Sequence, residues 1–218
     1  MPQLSVGSFA KFIKASPSRQ RAILRDFKFP KLKDGKKRPQ IVRYSEARAA
    51  IRHYHESGND INTLLKAVET LTKKLAEHPE KDKSRVQDNI RAIQTYMKHF
   101  HKHPFTVLQT PRPKYEHNSV QVSATPDLYV EENGERKLIK LDFSQQNPDP
   151  DVIDIVLKVT HEAGSAAGLG VKPKNVIYLD VSRQTRYTGA KLNRRLKKEI
   201  DAACETIADM WPNIKQNS

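Results

Sequence analysis

The sequence predicts an α/β protein in which a mainly α-helical region, residues 1–103, precedes an α/β core, residues 104–218. Three observations predict it. Apolar residues recur at helical spacing through the first half. β-type residues take over after Pro104. Asn133-Gly134, a dipeptide suited to a tight hairpin, then separates two apolar-rich segments. At 218 residues the chain suits one large domain or two small ones, and 37% hydrophobic content supports a modest core.

Each element has a local reason. Ser16-Pro17 joins an N-cap residue type to the residue favoured at the first helical position, and Ala22, Ile23 and Phe27 give an apolar face, so a helix is expected over 17–27. The Pro/Gly/Lys-rich segment 29–40 reads as a loop. A second helix starts at Ser45, turns Ala49, Ala50, Ile51 and Tyr54 inward, and stops near Gly58. Ile61, Leu64, Leu65, Val68, Leu71 and Leu75 form one helical stripe, and Val86, Ile90, Ile93, Met97 and Phe100 form its hairpin partner across the polar turn HPEKDKS. Residues 105–109, 119–123, 128–130 and 137–143 read as a β-meander. Helical spacing returns over 151–163, Gly164 to Lys174 interrupts it, and 175–181 is a compact apolar strand. A last helix is expected over 189–211, completing the order β-β-β-α-β-α.

Charge bears on partners rather than on fold. The 39 Lys and Arg outnumber the 25 Asp and Glu, giving a net charge of +14, and the excess gathers in Lys28 to Arg43 and Arg183 to Lys198. A polyanion is the expected partner, and two patches separated in sequence suit the flanks of one groove. No stretch reaches the ~18 consecutive apolar residues that span a bilayer, and the N-terminus lacks a secretory apolar run, so no membrane association and a cytoplasmic location are expected. The single cysteine, Cys204, sits among apolar residues and reads as core.

The residues with chemical potential lie around the hairpin. Pro126-Asp127 stands at the mouth of one strand and Asp142-Phe143-Ser144 at the end of the next. Strand alternation puts Lys140, Asp142 and Ser144 on one face and Ile139, Leu141 and Phe143 on the other. A lysine and an aspartate directed to one side of a core strand need a metal ion or an ion pair, because an unpaired buried charge costs several kcal/mol. Read without a metal, Asp127 caps a strand end and Asp142 pairs with Lys140.

The run ATPDLYV, then ENGERKLIKLDFS, then a helix and an apolar strand resembles the PD-(D/E)XK nuclease superfamily. The resemblance covers about half of the chain and implies a mixed β-sheet flanked by helices, the restriction-endonuclease-like core. It implies that Asp127 and Asp142 are metal ligands, with the carbonyl of Phe143 beside them, and that Mg2+ or Mn2+ is the cofactor, consistent with an all-oxygen ligand set. The implied reaction is metal-dependent phosphodiester hydrolysis on DNA. The sequence departs from the motif at Ser144, which stands where the family has its lysine; Lys140 on the same strand face, or Lys158 on the following helix, is the substitute. A glutamate from a preceding helix often completes such a site, and Glu46 and Glu56 are the candidates. The other outcome of the same resemblance is a catalytically inactive nuclease-fold protein that binds DNA or assembles a complex.

The nucleic-acid contacts are expected from Arg183, Arg186, Lys191, Arg194, Arg195, Lys197 and Lys198, with Tyr187 nearby; basic residues in the first turns of a helix oppose its dipole unless a phosphate is bound there. His99, His101 and His103 cannot all face one ion from a helix, and a structural role is expected for them. Gly164 to Gly170 lacks the pattern of a phosphate loop and reads as a helix-ending loop. The helical hairpin is a further candidate surface for a protein partner, and a homodimer is a further expected assembly.

Overall fold

The structure, a computed structural model, describes residues 1–30, 32–33, 36–37, 43–77, 83–189 and 194–216. The chain runs β1 (Gln3–Ser5), α1 (Val6–Lys14), α2 (Pro17–Lys28), β2 (Leu32–Lys33), β3 (Lys36–Lys37), α3 (Ser45–Glu56), α4 (Ile61–Glu77) and α5 (Lys83–His99). It continues through β4 (Thr106–Val107), β5 (Lys114–His117), β6 (Val120–Ser123), β7 (Leu128–Glu132), β8 (Glu135–Asp142), α6 (Pro150–Ala166), β9 (Val176–Asp180), β10 (Thr185–Thr188) and α7 (Arg194–Met210). This is a mixed α/β fold, as the sequence predicts.

The strands divide between a five-stranded sheet, order β10-β9-β8-β7-β4, and a three-stranded sheet, order β1-β6-β5; β2 and β3 pair only with each other. The main sheet is mixed, with β8 and β9 parallel and its other pairs antiparallel. The single meander expected from the sequence is therefore corrected: the segment near 119–123 leaves the main sheet and pairs with β5 and, in parallel, with β1. β1 depends on a distant partner and β5 on the adjacent β6, and neither is long enough for a local periodicity to announce it.

Alternation along β8 sorts its two faces. Ile139, Leu141 and Phe143 join Ile177, Leu179 and Val181 of β9 and the segment after it in a core with Ile51, Leu64, Ile93 and Tyr96 of α3, α4 and α5. Leu138 and Val176 pack on the opposite side with Ile153 and Leu157 of α6. A further core joins Phe9, Phe12 and Leu24 to Val122, Ile155, Ile200 and Cys204 beneath the small sheet. Two of these cores draw on residues from both sides of position 104, so that position marks a change in secondary structure without dividing the packing.

Asn133 and Gly134 both adopt positive φ, 53° and 75°, as the tight turn between β7 and β8 requires. Gly164 does not stop α6: the helix continues to Ala166 and turns at Gly168, where φ is 70°. A Cβ on Gly164 would come within 2.9 Å of a Leu138 methyl, so the bare backbone is what lets α6 lie close against β8. The expected turn between the hairpin helices falls at 78–82, outside the described residues, as does most of the basic segment 31–42. Among the described residues no helix is long and apolar enough to cross a membrane.

Candidate functional site

The sheet brings the two acidic residues to one end of β8. Asp127, immediately before β7, donates its N–H to the Ile139 carbonyl (2.9 Å) and accepts the Leu141 N–H on Oδ2 (2.8 Å). Asp142 closes β8 a residue beyond. The surroundings of the two carboxylates differ.

Asp127 is held by cations. Arg48 Nε lies 3.1 Å from its Oδ1, and Lys140 Nζ lies 3.0 Å from its Oδ2. Arg48 also donates to the Leu141 carbonyl (3.1 Å), and Lys140 to the Thr125 carbonyl (3.1 Å). Arg52 donates through Nη2 to the Asp127 main-chain carbonyl (2.8 Å). Arg48 and Arg52 are four residues apart on α3, which places them on one helical face turned to the end of β8. The Arg48 guanidinium also rests 5.3 Å over the Phe143 ring. The preceding helix thus delivers two arginines to Asp127. Of the glutamates expected in that role, Glu46 pairs with Arg85 and Glu56 is exposed.

Asp142 is held by neutral donors. Tyr178 Oη donates to its Oδ2 (2.8 Å), and the Ser144 N–H to its Oδ1 (3.0 Å). Burial, followed by the adjacent Asp142 charge, pushes the Tyr178 hydroxyl well above its ordinary value, so it remains a proton donor at any physiological pH. Lys140 therefore pairs with Asp127, which corrects the expected Lys140–Asp142 pairing. The parallel register sets Asp180 beside Asp142. Asp180 is fully buried and accepts the Arg183 N–H (3.0 Å) and Arg183 Nη1 (3.2 Å).

The donor set does not fit a divalent cation. Both Asp127 oxygens already accept from charged side chains, both Asp142 oxygens accept from Tyr178 and Ser144, and the Phe143 carbonyl accepts from Ser182 Oγ (2.9 Å). A metal here would have to displace Arg48 and Lys140 and would then sit against two positive charges. Among the described residues no group of three or more His, Cys, Asp or Glu side chains is arranged to hold a metal ion. Ser144 contributes its N–H to Asp142 and its Oγ to the Gln146 N–H (3.2 Å). Lys158 is spent on Glu162 (2.6 Å), one turn along α6, which corrects its expected place beside the acidic pair.

The basic residues expected to contact nucleic acid fall into two groups. Arg183 is committed internally: besides Asp180 it reaches the carbonyls of Ser144 (3.2 Å) and Gln145 (2.6 Å) and the Asn147 side chain (2.9 Å), stapling the loop after β8. Lys197 is likewise occupied by Asp201 (2.7 Å) and the Tyr115 hydroxyl (2.7 Å). Arg186 on β10 and Arg194, Arg195 and Lys198 at the start of α7 are exposed and free of ion pairs among the described residues. Lys191 lies outside the described residues.

Two features escaped the sequence reading. Asp180 was hidden in an apolar run, and Arg48 and Arg52 showed only their four-residue spacing. His55 is a third: it is buried, hydrogen-bonded to Asn59 (2.5 Å) and Tyr96 Oη (2.7 Å), and burial lowers its pKa to about 4. Of the three histidines after α5's apolar stripe, His103 pairs with Glu132 (3.1 Å) and stacks on Phe105, and the His101 carbonyl receives the Tyr54 hydroxyl. No protein-family model and no curated protein matches this chain.

Proposed function

We propose that this chain is a non-catalytic nucleic-acid-binding module on a nuclease-like core, in which an internal ion-pair cluster occupies the place of a metal centre. The order of three strands, helix and strand around an Asp127/Asp142 pair supports kinship with PD-(D/E)XK proteins. The observation that carries the non-catalytic reading is the Arg48–Asp127–Lys140 cluster, which neutralises the carboxylate with fixed cations. The exposed Arg186, Arg194, Arg195 and Lys198 support the binding reading, because unpaired cations of this kind hold phosphates without reading bases. The net charge of +14 favours the same class of partner.

Metal-dependent hydrolysis is the competing reading, favoured by Lys140 Nζ standing 3.0 Å from Asp127 as a stand-in for the missing lysine. Incubation of supercoiled and linear DNA with purified protein and Mg2+ or Mn2+ separates the two. The expected result is binding without cleavage. Metal-dependent cleavage abolished by Asp127→Ala and by Asp142→Ala would establish the nuclease instead. Binding should fall steeply with salt, and Arg194→Glu with Arg195→Glu should weaken it alike on unrelated sequences.

A further inference from the structure

A second basic site lies away from the acidic pair, between α2 and the segment following α7. Lys28 Nζ clamps the two together, donating to the carbonyls of Trp211 (2.6 Å), Pro212 (3.2 Å) and Ile214 (3.1 Å). Beside this clamp is a groove of about 400 Å³ lined by Arg21, Arg25, Lys215, Asp209, Asn213 and Ile214. Three cations there face one carboxylate, and among the described residues none of the four makes an ion pair. Arg25 Nε is buried and has no hydrogen-bond partner. The guanidinium of Arg25 thus lacks a compensating acceptor on its inner side, and an anion held in the groove would neutralise its charge from the outer side.

The geometry points to a phosphate-binding groove that takes a nucleotide through Arg21, Arg25 and Lys215. The planar guanidinium fork suits phosphate oxygens, and the excess of two positive charges suits a dianion better than a lone carboxylate. The volume falls in the range of small-molecule sites, leaving room for the sugar or base beside the apolar Ile214 and Met210. The same chemistry comes from a free nucleotide or from the phosphorylated end of a nucleic-acid strand. The proposal is independent of the basic residues at the start of α7, of which Arg194 lies about 24 Å from Met210 along the 17-residue helix.

The test follows the Arg25 Nε–H signal in 1H–15N spectra of the full chain titrated with inorganic phosphate and with ADP, with affinity measured by calorimetry. The expected result is movement of that signal by both probes and tighter binding of ADP. Arg25→Gln should weaken ADP binding about tenfold or more, and Arg25→Lys should retain part of the affinity. Competition by a 5′-phosphorylated oligonucleotide, but not by its 5′-hydroxyl form, would identify a strand end; competition by neither would identify the free nucleotide. An unmoved Arg25 signal at millimolar ADP, or equal affinity in wild type and a folded Arg25→Gln protein, overturns the proposal.

Discussion

Replacing Asp127 by alanine distinguishes the two readings of the acidic pair through stability alone, with no substrate required. A carboxylate reserved for a metal is a liability in the metal-free protein, and its removal relieves repulsion from Asp142 and stabilises the fold. A carboxylate that balances Arg48 and Lys140 does the opposite, since its loss strands two cations and the Leu141 N–H. Breaking a fully buried pair costs about 3–5 kcal/mol, whereas an exposed pair is worth about 0–1 kcal/mol. Here the side chains of Asp127, Lys140 and Arg48 retain 12%, 22% and 28% of their exposure, which places the loss between those limits, at about 2–3 kcal/mol. For a chain of this size that corresponds to a fall in Tm of roughly 4–12 °C. Urea and thermal unfolding at pH 7, with and without Mg2+, provide the measurement. Unchanged or increased stability in Asp127→Ala, together with stabilisation of the wild type by Mg2+, would refute the ion-pair assignment.

Three other perturbations probe the scaffold. His55 titrates from an ordinary value of 6.5 down to about 4 in the folded protein, so the unfolded chain binds the extra proton between those values. Its contribution is therefore complete above pH 6.5 and declines as pH falls toward 4, about 3 kcal/mol in all; urea unfolding across this window should show a slope that His55→Gln flattens, and an unaltered slope would remove the assignment. Gly164→Ala should destabilise by about 1 kcal/mol despite alanine's better helix propensity, because the added Cβ meets the fully buried Leu138 at 2.9 Å; a gain in Tm would show that β8 and α6 yield easily. Arg183→Ala should raise proteolytic cleavage within 144–147 and lower stability by about 2–4 kcal/mol, since it leaves Asp180 buried without its charge partner. DNA affinity of the folded variant should change little compared with Arg194→Glu, and an equal loss would return Arg183 to the binding surface.

Features generated by local chemistry were legible in the sequence. The stripes of α4 and α5, Pro17 at the start of α2 and the Asn133-Gly134 turn all announce themselves within a few residues. Strands β1, β5 and β10 did not, because three or four residues carry no period; β5 and β10 are set by short connections to the neighbouring β6 and β9, and β1 by pairing with β6 more than a hundred positions away. Gly164 misled for a related reason: glycine generally favours helix ends, but here the close approach of Leu138 outweighs that preference. Asp127 and Asp142 were identifiable as polar groups at strand ends, whereas the identity of their partners was not. Counting charge clusters also credited Arg183 and Lys197 to an outer surface, because a sequence shows how many cations a segment has and not which carboxylates and carbonyls already occupy them.

The parallel pairing of Gln3–Ser5 with residues 121–123 has a consequence for how the chain acquires its shape. Its first strand must wait for a partner more than a hundred positions downstream, and α2 must wait longer still for the carbonyls that Lys28 gathers beyond α7. The helical hairpin of α4 and α5, whose contacts are local, is free to form well before either closure. Synthesis on the ribosome would therefore let the helical hairpin form first, β1 dock next, and the clamp from Lys28 close last.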